Sequence, residues 1–131
     1  MKRQKDDVAA VLTWHDAVNA GDIGLALAVS TSTIVVGGPK GEACGHAVLA
    51  EWIRHAGIRL APIVVHRAGE HIIVEEDATW PARHEALQDG QPIRVASVFT
   101  VMDGLVASVH RFASLDEAKR MLRLSGPRPP A

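Results

Sequence analysis

The chain has 131 residues, 47% of them hydrophobic and 22% charged, with a formal net charge of −1 at pH 7. That length makes one domain with a single core. The near-zero charge leaves no basic footprint for nucleic acid or an anionic membrane surface, and no apolar run reaches the roughly 18 residues that a spanning helix needs.

The opening MKRQKDD, residues 1–7, is charged and lacks the apolar centre of a secretory signal. From Asp7 the period is helical: Val8, Val11, Leu12, His15 and Val18 share one face with Trp14 at its edge. Gly21 ends that helix, and Asp22 is placed to cap a second one over residues 23–29. Residues 33–36 (TIVV) read as a short strand stopped by the GGPKG cluster at 37–41. A third helix is expected from about Gly45 to His55, with Leu49, Trp52, Ile53 and Ala56 as its apolar stripe and Gly57 as its stop.

Beyond Gly57 the period changes from 3.6 to 2, and strands are expected at 60–67, 71–80, 93–102 and 105–112. The turns between them are AGE at 68–70, a longer connection at 81–92 that carries His84 and Glu85, and the tight Asp103-Gly104 hairpin signal. Ser114 and Glu117 form a capping box for a last helix, whose apolar face is Leu115, Ala118, Met121 and Leu122. A core of about residues 7–124 is followed by a Pro-rich tail at 125–131, within one domain over 1–131. Helices collected against an antiparallel meander make an α+β fold. The expected form is a cone-shaped curved antiparallel sheet wrapped around the N-terminal helices, with an extra C-terminal helix.

The single cysteine, Cys44, excludes an internal disulfide and fits a reducing, cytoplasmic setting. Seven histidines are present without a metal-binding spacing, and no glycine pattern of the phosphate-binding kind occurs, so neither metal nor organic cofactor is expected.

Three stretches, NAGD at 19–22, GHAVLAEWI at 45–53 and the strand pair at 95–112, taken in order, resemble the nuclear transport factor 2-like superfamily, in particular its SnoaL-like and ketosteroid-isomerase-like members. The resemblance covers residues 8 to about 123. It implies a cone-shaped cavity for a small molecule and a homodimer. It leaves the activity open, because the fold serves isomerases, cyclases, dehydratases, epoxide hydrolases and binders alike. At the places where such isomerases carry an oxyanion-donating tyrosine, a base aspartate and an oxyanion-hole aspartate, this chain has Trp14, Val36 and, near the third, Val98. Steroid isomerisation by that arrangement is therefore not expected.

The sharpest chemical signal is IVEEDATW at 73–80, with three consecutive acids in a strand. Successive side chains of a strand point to opposite faces, so at least one carboxylate must point inward. Two registers are open. Hydrophobic alternation favours Ile72, Val74, Glu76, Ala78 and Trp80 inside. The family resemblance favours Ile73, Glu75, Asp77 and Thr79 inside, and this second register is taken as the expectation. It makes Glu75 and Asp77 an acid/base pair of separated proton affinities, with Arg94 and Arg111 as electrostatic partners. The same register puts Val98 and Thr100 on the cavity wall, with Trp14, His15, Val18 and Trp52 from the helices. His110 is a further candidate, although as neighbours in a strand only one of His110 and Arg111 can face the cavity. The expected ligand is a small, mostly apolar molecule. An isomerase, cyclase or hydrolase is one reading. The alternative is a non-catalytic ligand-binding or dimerisation domain in which the acids are salt bridges.

Overall fold

The computed structural model describes residues 2–38, 41–80 and 92–125. The 81–92 connection, with His84 and Glu85, thus falls almost wholly outside the described residues, as does the tail from 126.

The elements in chain order are α1 (Lys2–Ala20), α2 (Ile23–Ala28), β1 (Ser30–Gly38), β2 (Gly41–Cys44), α3 (His46–Ala56), β3 (Arg59–Ala68), β4 (His71–Thr79), β5 (Ile93–Met102), β6 (Leu105–Phe112) and α4 (Leu115–Ser125). The punctuation expected from the sequence is where the backbone turns. Gly21 closes α1 at φ +68°, Gly57 closes α3 in the left-handed region, and Asp103 and Gly104 both have positive φ, as a two-residue type I′ hairpin requires. The Asp22 side chain accepts a hydrogen bond from the Leu25 amide at 3.1 Å, and Ser114 Oγ accepts from the Glu117 amide at 3.1 Å.

The six strands form one sheet in the order β2-β1-β6-β5-β4-β3. Neighbours pair antiparallel except β1 and β6, which run parallel. The sheet is therefore mixed rather than purely antiparallel. Its added edge, β2, begins at Gly41, the last residue of the cluster that reads as a breaker in the sequence. Two faces follow from the alternation. On the inner face, Ile72, Val74, Ala78, Val95, Phe99, Val106 and Val109 pack with Val11, Trp14, Ala17, Val18 and Leu49 of α1 and α3. On the outer face, Ile73, Ala96 and Val98 pack beneath Ala118, Leu115 and Leu122 of α4.

One side chain ties helix to sheet. Asn19 donates from Nδ2 to the Leu60 carbonyl at 2.9 Å and accepts from the Leu60 amide at 2.7 Å, so it completes β3 as a neighbouring strand would. Two partly buried hydrogen bonds, each contributing about 0.5–1.5 kcal/mol, make Asn19→Ala cost about 1–3 kcal/mol. Urea unfolding is the check. A loss below 0.5 kcal/mol would mean that water replaces the amide freely.

Candidate active site in the cone

A cavity of about 510 Å³ opens between α1, α3 and the concave side of β1, β2, β5 and β6. Trp14, Val36, Val48, Trp52, Leu60 and Val109 give it apolar walls, and Ser97 and Arg111 are the polar side chains projecting from its sheet floor. Trp14 and Trp52 stack at 6.1 Å between ring centroids and 15° between planes, and Phe99 meets Trp14 edge-on at 5.3 Å. Aromatic pairs favour these two arrangements, so the wall is built from rings that hold one another in place.

Strand β4 adopts the register that its hydrophobic alternation favours, correcting the one taken from the resemblance. Glu76 is fully buried on the inner face, between buried Val74 and Ala78. Glu75 and Asp77 lie on the outer face with Ile73, away from the cavity. There Asp77 accepts from Arg94 Nε at 2.7 Å, and Glu75 lies 3.2 Å from His66 Nε2. The hydrogen bond that Arg94 donates to Asp77, followed by the charge of Asp77, holds the guanidinium above its ordinary pKa, and the charge of Glu75 adds to this. These pairs are partly exposed, so water and salt screen them and they add little to stability.

The same alternation moves other expected residues off the cavity. Val98 packs under α4, not on the cone wall. Thr100 bonds Ser108 across the outer face at 2.5 Å. His110 also lies outside, its ring against Gly37, where an added Cβ would come within 2.4 Å of it, and its Nε2 2.8 Å from Glu42. Val18 is core, 4% exposed, and does not line the cavity. Arg111, Trp14 and Trp52 do line it. His15 is near but sealed beneath the Trp14 and Phe99 rings.

What the sequence reading did not assemble is the group under that floor. His15 and Glu76 are both 0% exposed, with His15 Nε2 2.5 Å from Glu76 Oε2. His15 Nδ1 sits 2.8 Å from the Val11 carbonyl, which can only accept, so Nδ1 carries a proton. A second proton must lie between Nε2 and Oε2. Wherever it resides along that bond, the pair is neutral overall: imidazole with carboxylic acid, or imidazolium with carboxylate. This neutrality makes complete burial tolerable. The other carboxyl oxygen, Oε1, accepts a hydrogen bond from Ser97 Oγ. Ser97 lines the cavity, so a continuous chain of hydrogen bonds runs from the cavity through Ser97 and Glu76 to His15. The signal available in the sequence was the alternation itself: with Ile72, Val74 and Ala78 inside, Glu76 needs a partner, and His15 lies on the inward stripe of α1.

Trp14 adds a further feature. Its ring lines the cavity, and among the described residues its Nε1–H is the buried side-chain donor without a hydrogen-bond partner. A second cleft, about 900 Å³, lies between the β3–β4 turn and α4 and contains neither the tryptophans nor the buried pair. No group of three or more His, Cys, Asp or Glu side chains among the described residues is arranged to hold a metal ion. No helix among them is long and apolar enough to cross a membrane.

The chain matches the SnoaL-like domain over residues 11–109, about three quarters of its length. The chain belongs to that family, within the nuclear transport factor 2-like proteins. Solved structures agree on the fold. TerC, co-crystallised with polyporic acid, is 20% identical, with 92% of this chain and 99% of TerC covered at a TM-score of 0.67. A Xanthomonas campestris protein with a provisional polyketide-cyclase assignment is 21% identical, with 87% and 94% covered at 0.68. A nuclear transport factor 2-like protein of unknown function from Cytophaga hutchinsonii is 16% identical, with 79% and 85% covered at 0.67. Among curated proteins, none matches significantly.

Proposed function

We propose that this SnoaL-like protein is an acid/base enzyme acting on a small, largely apolar carbonyl compound bound in the cone. Proton transfer at a carbon next to the carbonyl would proceed through Ser97. The observation that carries the reading is the buried His15–Glu76 pair joined to the cavity through Ser97. With the pair as imidazolium and carboxylate, a proton leaving the substrate carbon passes to Ser97 Oγ while the Ser97 proton moves to Glu76 Oε1. The reverse movement delivers a proton to a second position, which would complete an isomerisation or a cyclisation. The unpartnered Trp14 N–H is a donor that a substrate carbonyl could satisfy. Such general acid–base catalysis contributes about 10²–10⁴-fold. The provisional cyclase assignment of the Xanthomonas neighbour is in keeping with this class of chemistry.

The alternative is that the acids are structural. For Glu75 and Asp77 the pairs with His66 and Arg94 favour it, and we assign those two carboxylates to the surface. A homodimer belongs to the same proposal. With α4 over the outer face, the exposed Ile63, Val64 and Val65 of edge strand β3 are the apolar surface that a second copy would cover. A cytoplasmic setting is also proposed, in keeping with the free, exposed Cys44.

The test is hydrogen–deuterium exchange at the α-carbon of 2-tetralone, a bicyclic ketone, followed by NMR in D₂O. The wild type should accelerate exchange, and Ser97→Ala and Glu76→Gln should each lower that acceleration about 100-fold or more while still binding the ketone. Wild-type exchange at the buffer rate, with binding retained, would make the protein a binder.

A further inference from the structure

The cavity contains one fixed cation whose charge the described residues do not neutralise. Arg111 is half-buried and lines the cone, yet no carboxylate of the described residues lies within ion-pair distance of it. Three other cationic or titratable side chains on the sheet differ: Arg94 is held by Asp77, His66 by Glu75, and His110 by Glu42. Glu42 stands at the same rim as Arg111, but its carboxylate is engaged by His110 at 2.8 Å. The contact that holds Arg111 is instead with an aromatic ring, its guanidinium carbon 6.0 Å from the centroid of Trp80. A ring contact of this kind orients a guanidinium without consuming its hydrogen-bond donors.

Position sharpens the point. Arg111 on β6 is directly opposite Ser97 on β5, and directly opposed side chains on one sheet face have Cβ atoms about 4.5–5.5 Å apart. A group held by the Arg111 fork therefore sits beside the hydroxyl that leads to Glu76. Burying a guanidinium in an apolar cavity is costly unless an anion compensates it, and the planar fork matches a carboxylate or an ionised enol in bidentate fashion.

We propose that the ligand of this cone is an apolar organic acid, whose anionic oxygen is clamped by Arg111 while its hydrocarbon body lies against Trp14 and Trp52. The assignment rests on the cone being the ligand site, and it names the class of ligand. The clamp has a chemical consequence: an anionic oxygen held by Arg111 fixes the ligand beside Ser97, so that a C–H next to a separate carbonyl of the same ligand can lie at the end of the hydrogen-bond chain.

The experiment compares two probes of nearly equal shape by isothermal titration calorimetry: 2-naphthoate, which carries the anion, and 2-acetonaphthone, which does not. The wild type should bind 2-naphthoate at least ten-fold more tightly. Arg111→Gln should remove that preference and change the affinity for 2-acetonaphthone less than two-fold, which also shows that the variant is folded. Equal affinities in the wild type would overturn the inference and leave the cone as a site for neutral carbonyl compounds. A preference that survives Arg111→Gln would overturn it too, since another group would then hold the charge. Failure of both probes to bind the wild type would overturn the reading of the cone as a ligand site and this inference with it.

Discussion

Glu76→Ala is expected to remove about 3–5 kcal/mol of stability, the cost of breaking a buried charge-capable pair by deleting one partner. Two groups lose their partner at once: His15 Nε2, at 0% exposure, and the Ser97 hydroxyl, at 1%. His15 cannot turn to water, because Trp14 and Phe99 close the space around the imidazole. The void left by the carboxyethyl group adds its own penalty. Domains of this kind have about 5–15 kcal/mol in total, so the variant should be near its folding limit. Glu76→Gln is the informative companion. The Gln amide can donate to Nε2 of an imidazole whose tautomer the Val11 carbonyl fixes, and its oxygen can still accept from Ser97. Its cost should stay below about 1.5 kcal/mol, the net contribution of one ordinary hydrogen bond, although it can no longer take up a proton. Chemical denaturation of the two variants side by side is the measurement. If Glu76→Ala loses less than 1 kcal/mol, the pair is not the anchor that its burial implies.

Trp14→Ala is expected to cost about 3–5 kcal/mol, as truncation of a buried large aromatic does. Trp14 is 1% exposed and meets Trp52, Phe99 and His15 through its ring, so the deletion hollows the contact between α1, α3 and β5. Trp14→Phe should behave differently. It keeps an aromatic in the stack and removes an N–H that has no partner in the protein itself. A buried unsatisfied donor costs about 1–3 kcal/mol, so part of the lost volume is offset, and the net loss should be under about 2 kcal/mol. Affinity for a carbonyl ligand such as 2-tetralone should nonetheless fall about ten-fold, the equivalent of one hydrogen bond of roughly 1.4 kcal/mol. Thermal unfolding and calorimetric titration read the two effects separately. An unchanged affinity would place the indole in the wall alone.

Most of the architecture was open to reading because local chemistry and global fold agree. Gly21, Asp22, Gly57, the Asp103-Gly104 turn and the Ser114 cap each do in the structure what their side chains favour in isolation. The sheet edge was less legible. β2 is four exposed residues beginning at a glycine, and only its pairing with β1 makes it a strand. The parallel pairing of β1 with β6 depends on a partner some seventy positions away, which no local pattern announces. α1 begins at Lys2, ahead of the apolar period that marks it.

The site was legible residue by residue but not as a unit. Trp14, Trp52 and Arg111 line the cavity, and each could be placed on its own strand or helix face from the local pattern. The acidic strand could not, because three adjacent carboxylates satisfy either alternation. What decides between the two registers is which carboxylate finds a partner inside, and that partner, His15, is 61 residues away in the chain. Family resemblance pulled the assignment one residue out of step, and a one-residue slip exchanges the two faces completely. It did so for Val98 as well, where the cavity residue is its neighbour Ser97.

The placing of α4 has a consequence for the two sides of the sheet. By lying over Ile73, Ala96 and Val98, the helix buries apolar surface that the convex side of the sheet would otherwise present to water. That cover is supplied by the eleven residues of α4, the last described element. The helix-covered face and the cavity thus lie on opposite sides of one sheet, so a substitution in the α4 contact need not reach the cavity wall.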